Sequence, residues 1–148
     1  MMANQSFSAD IDKWVMKTKA RAEAVFHESA ERVVAEMQKP MGEGGRMRVD
    51  TGFLRASLMA STSQMPAIRP NAKPVPDQKY GFDMGPISLV INGADLGATI
   101  YAGYVAGYAI YREYGANGQA PDAFVRTAAA KWSQIVSEVI KDAKARVK

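Results

Sequence analysis

Over residues 8 to about 38, Ile11, Trp14, Val15, Thr18, Ala22, Val25, Phe26, Ala30, Val33, Val34 and Met37 recur at the i, i+3, i+4, i+7 spacing of one helical face. The pattern predicts one long helix. Ser8 is placed to cap it, Asp10 and Asp12 fall in a first turn where the helix dipole favours negative charge, and Pro40 stops it. Residues 41–48 read as a loop, because Gly42, Gly44 and Gly45 lie close together. That loop lacks the Gly-Lys-Ser/Thr that opens a helix in a phosphate-cradling loop, so it is read as a flexible joint. Asp50 or Thr51 then caps a short turn through Gly52, Phe53, Leu54 and Arg55, and residues 57–63 alternate as a strand with Leu58, Ala60 and Thr62 on one side.

Five prolines between residues 64 and 86 exclude a regular element there and predict a long, mobile arm. Residues 87–92 are apolar and partly β-branched, residues 93–97 supply a turn and residues 98–101 resume the apolar run, which reads as a hairpin. Tyr108 and Tyr111, with Ala109, Ile110 and Tyr114, predict a short helix whose aromatic face packs inward and which ends at Gly115. Glu113 stands among them and needs a hydrogen-bond or cationic partner if it is buried. Pro121 fits the first turn of a last helix, with Phe124, Ala128, Trp132, Ile135, Val136, Val139, Ile140 and Ala143 as its apolar stripe. The fold class is therefore α+β: long N- and C-terminal helices packed on a small antiparallel sheet with a short additional helix, in one domain over residues 1–148.

Composition narrows the chemistry. The 148 residues suffice for one core without covalent staples. The absence of cysteine removes disulfides, thiolate metal sites and cysteine nucleophiles. His27 is the single histidine and has no ligand-spaced companion, so it reads as a residue at the surface or the edge of the core; no metal and no organic cofactor is expected. No nucleophile motif assembles, and Asp50 and Glu113 are the only acids within the distinctive segments, so no enzymatic activity is expected. No apolar run is long enough for a membrane span, and a chain made in the cytoplasm is expected. A formal net charge of +4 is mild. Arg46, Arg48, Arg55, Arg69, Lys73 and Lys79 would form a basic face if their loops clustered. That is the basis of an alternative reading as a small DNA-binding protein without sequence preference.

Three segments occur in a fixed order: Val49-Asp50-Thr51-Gly52-Phe53-Leu54-Arg55, then Tyr108-Ala109-Ile110-Tyr111-Arg112-Glu113-Tyr114-Gly115, then Pro121-Asp122-Ala123-Phe124. Together, over about residues 45–132, they resemble the head-to-tail joining family of tailed bacteriophages. There a Thr-Gly-x-Leu-Arg turn, a Tyr-Ala-x-Tyr-x-Glu-aromatic-Gly segment and a Pro-x-x-Phe helix start follow one another. The positions carrying the likeness are Thr51, Gly52, Leu54, Arg55, Tyr108, Ala109, Tyr111, Glu113, Tyr114, Gly115, Pro121 and Phe124. The resemblance implies a structural protein of the virion neck, made in the bacterial host, that forms a ring around the DNA channel. It implies as partners other copies of itself, connector or portal-side proteins and tail proteins, with Arg69, Lys73 and Lys79 of the arm facing a neighbour or genomic DNA. The copy Tyr101-Ala102-Gly103-Tyr104 and the proline-rich arm are longer than the family pattern.

Overall fold

The computed structural model describes residues 2–146, with side chains described from Ser8 onward. Helix α1 spans Met2–Gln38, 37 residues, or about 55 Å at 1.5 Å per residue. It begins ahead of Ser8, so Ser8 is not its cap, and Asp10 and Asp12 lie beyond its first turn. The preceding residues include no glycine or proline, and the helix continues back through them. A short 3₁₀ turn, Met41–Glu43, follows Pro40 and is closed by hydrogen bonds from Met41 N to Met47 O and from Gly45 N to Pro40 O. Next come α2 (Phe53–Ala56), β1 (Leu58–Ser61), α3 (Gly85–Gly93), β2 (Tyr101–Tyr104), α4 (Ala109–Tyr114), α5 (Phe124–Ala130) and α6 (Trp132–Arg146). The architecture is α+β, with long terminal helices around a two-stranded antiparallel sheet. No described helix is long and apolar enough to cross a membrane.

Three expected elements take a different form. Residues 87–92 are helical, not one arm of a hairpin. Pro86 occupies the start of α3, and Ile87 and Ile91, four apart, are both buried on its inner face. β2 pairs instead with β1, in the register Leu58↔Tyr104 to Ser61↔Tyr101, so Tyr101 and Tyr104 belong to a strand and share no helix with Tyr108 and Tyr111. The last helix begins at Phe124, not at Pro121. Asp122 N donates to Arg112 O and Ala123 N to Glu113 O, and these bonds hold Ala123 at φ 54°, outside right-handed helical geometry. A break at Lys131 then divides the expected single helix into α5 and α6.

The core gathers Val34 and Met37 of α1, Leu54, Leu58, Ile87, Ile91, Tyr104 and Phe124 around the completely buried Met47. α6 lies antiparallel to the C-terminal half of α1, and their edges are joined by Lys131 with Glu36, Arg32 with Asp142 and Arg146 with Glu28. The Arg32 hydrogen bond is the main influence holding the Glu28 carboxyl below its usual range. His27, at the edge of the core, hydrogen-bonds the Ala94 carbonyl at 2.6 Å and so ties α1 to the end of α3. Among the described residues nothing covers the N-terminal half of α1 in this way: Ile11, Trp14, Val15 and Met16 are all exposed, Trp14 to 67%.

Residues 64–84 contain no regular element, as their prolines require. They are nonetheless pinned at three places. Arg69 N donates to Val105 O, Gly107 N to Ala72 O and Tyr80 N to Thr51 O, at 2.8–2.9 Å. A Cβ on Gly107 would collide with the backbone of Pro70, and one on Gly52 with the Tyr80 carbonyl. Both glycines admit the arm to the body of the fold.

Candidate assembly surface

The three ordered segments converge on one junction. Gly52 adopts φ 86° at the start of α2, and the Thr51 hydroxyl accepts from Phe53 N at 3.2 Å. Leu54 is buried. Arg55 Nε donates to the carbonyl of Gln38, the last residue of α1, while Gln38 Nε2 donates back to the Arg55 carbonyl, both at 2.9 Å. Gln38 Oε1 in turn accepts from the Tyr104 hydroxyl at 2.6 Å, and the Tyr104 ring meets Phe124 edge to face, with centroids 5.1 Å apart. One chain of contacts thus runs from the first segment through α1 and β2 to the third.

A second connection is electrostatic. Glu113 is buried on the inner face of α4, beside Ala109. Its carboxylate accepts from Val125 N and Arg126 N at 2.9 Å and from Arg126 Nε at 3.0 Å. The side chain therefore satisfies the otherwise unpaired amides that open α5, where the helix dipole also favours it. Gly115 closes α4 with φ 84°, where a Cβ would press on Gln119 and Pro121. Pro121 is exposed, but its neighbour Asp122 is buried and accepts from Arg48 through both the backbone amide and Nε. Sequence reasoning missed this Arg48–Asp122 pair, the tightest link between the glycine-rich loop and the third segment. The two residues stand 74 positions apart, and only the presence of an acid within the Pro-x-x-Phe segment hinted at it.

Burial pushes the ionisation of the Tyr104 phenol well up, beyond the usual tyrosine range. The unfolded phenol ionises near pH 10, so the stability gained by keeping Tyr104 neutral is present below that pH and is lost as pH rises above it. Between about pH 9 and 11 the denaturant midpoint should accordingly fall more steeply for the native chain than for Tyr104→Phe.

Other members of the segments face solvent. Ile110, Tyr111 and Tyr114 form the outer face of α4, with Tyr111 60% and Tyr114 59% exposed. The expectation of an inward aromatic face is therefore reversed for Tyr111 and Tyr114, whereas Tyr108 is partly buried and packs against the core beside Phe53. Ala109 and Glu113, four apart, face inward, and Tyr111 and Tyr114 take the opposite side of the turn. The Arg126 guanidinium sits 4.6 Å from the centroid of the Tyr114 ring and fixes that side chain from one flank. Trp132, expected in the core, is 41% exposed at the start of α6.

Between α4 and the first segment an open cleft of about 370 Å³ is lined by Arg48, Asp50, Thr51, Arg55, Tyr108 and Arg112 among others. Tyr108 is half-buried there, and its burial raises the phenol ionisation. Asp50 and Glu113 do different work: Glu113 is committed to the start of α5, whereas Asp50 lines the cleft and its backbone carbonyl accepts from Lys79 Nζ. No group of three or more metal-ligating side chains occurs among the described residues. Of the six cations that could form a basic face, Arg46 donates to Asp122 O, Arg48 to the Asp122 carboxylate and Arg55 to Gln38 O. Arg69, Lys73 and Lys79 lie exposed along the arm.

Compared with known proteins, the chain matches no family model, and no similar curated protein or solved structure was found.

Proposed function

We propose that this chain is a structural protein of a tailed-phage virion, acting at the neck between the DNA-filled head and the tail. In this reading it assembles in a ring around the DNA channel, touching copies of itself, the connector side and tail proteins. The observation that carries the reading is the division of labour within the ordered segments. Thr51, Gly52, Leu54, Arg55, Glu113, Gly115 and Phe124 build a rigid junction, while Ile110, Tyr111 and Tyr114 are held exposed on its outside, with Arg126 flanking Tyr114. Large, stiff, amphipathic side chains on a fixed support are what a protein contact favours. Many weak lateral contacts of this kind add up once a platform concentrates the copies. In the same reading Arg69, Lys73 and Lys79 reach a neighbouring subunit or the DNA in the channel.

A phage deleted for this protein should fill heads and complete tails but fail to join them stably. Electron microscopy and infectious titre of the deletion lysate check this. Normal yields of joined, infectious particles, or absence of the chain from purified virions, would remove the neck assignment.

A further inference from the structure

We propose that the N-terminal half of α1 is a self-association surface, on which the same stretch of a second copy of this chain packs antiparallel. Where α6 covers α1, the two helices are antiparallel, and the last of their ion pairs joins Arg146 to Glu28. N-terminal to that point the apolar stripe continues in unbroken period through Val25, Ala22, Thr18, Val15, Trp14 and Ile11. Its large apolar members stand exposed there, Val15 to 50%, Trp14 to 67% and Ile11 to 45%. A second α1 lying antiparallel on this stripe runs in the same sense as α6. It therefore prolongs an interface the fold already has.

Charge selects both the occupant and its direction. At 100° per residue, one edge of the stripe carries Asp10, Lys17 and Arg21, and the other carries Asp12 and Lys19. In a two-fold contact between identical antiparallel helices, each edge meets the same edge of the other copy, reversed. With the symmetry axis between Trp14 and Val15, Asp10 falls between Lys17 and Arg21 of the second copy, and Asp12 falls near its Lys19. Parallel alignment in the same register would instead set the acidic ends together and the basic ends together. Among the described residues, none of these five side chains forms an ion pair within the chain. The stripe is thus self-complementary in apolarity and sign. This inference stands apart from the neck reading, since it concerns the purified chain alone.

The test is the mass of the full chain in solution over a concentration series, by sedimentation and light scattering. A monomer–dimer equilibrium is expected, weakened by Trp14→Ala about tenfold or more, as for a central aromatic anchor, with the thermal unfolding of the domain retained. The charge variants Asp10→Lys/Asp12→Lys and Lys17→Asp/Lys19→Asp/Arg21→Asp should each be monomeric alone and should pair when mixed. Because the chain has no cysteine, Ile11→Cys and Thr18→Cys variants report direction cleanly. Antiparallel pairing cross-links Ile11→Cys to Thr18→Cys in the mixture, whereas self-cross-linking of Ile11→Cys would mean parallel pairing and overturn the proposal. A chain that stays monomeric throughout, or a dimer untouched by Trp14→Ala and by the charge variants, overturns it equally.

Discussion

Replacing Phe124 by Ala should destabilise the fold by about 3–5 kcal/mol, the usual cost of emptying a buried aromatic site. Phe124 is 1% exposed, stacks edge to face on Tyr104 and opens α5 immediately beyond the Asp122 and Glu113 bonds. The cavity cannot collapse easily, because Tyr104 is held by its hydrogen bond to Gln38 and the start of α5 by the Glu113 carboxylate. Trp132→Ala should shift the midpoint by less than half as much, since that ring already meets water. Urea unfolding of both variants, compared at equal slope, checks the pair of statements.

The second large effect is expected at Gly52. Alanine there must hold φ 86°, costing about 1–3 kcal/mol. Its Cβ also drives into the Tyr80 carbonyl, so the bond from Tyr80 N to Thr51 O must break, adding about 1 kcal/mol. The arm is then released along residues 75–84. Faster hydrogen exchange at Tyr80 and new protease cleavage nearby should accompany the loss of stability. An alanine variant with native stability and an equally protected Tyr80 amide would mean that the arm does not rest on this glycine.

Helix α1 was legible because its period runs unbroken to a proline, and the arm because prolines veto regular structure whatever surrounds them. The helix α3 was not. Ile87-Ser88-Leu89-Val90-Ile91 is too short for period to separate a strand from a helix, and the deciding facts were Pro86 at its start and a buried surface that takes residues four apart. The pairing of β1 with β2 joins residues forty or more positions apart, and nothing local announces it. Periodicity also identifies a face without saying whether anything covers it. That is why Ile110, Tyr111, Tyr114, Trp132 and the start of α1 read as core and stand exposed. Glu113 shows the opposite case. A carboxylate among aromatics had to have a partner, and the partner is the amide end of α5.

The three segments therefore hold the junction together from within and present α4 outward, and in the proposed role this outer face serves assembly. The most direct measurement pairs the melting transition of a Tyr111→Ala/Tyr114→Ala chain with its ability to restore head-to-tail joining to the deletion phage. A transition within a few degrees of the native chain is expected, as for exposed positions, together with loss of joined particles. Full restoration of joining by the double variant would mean that the outer face of α4 plays no part in assembly.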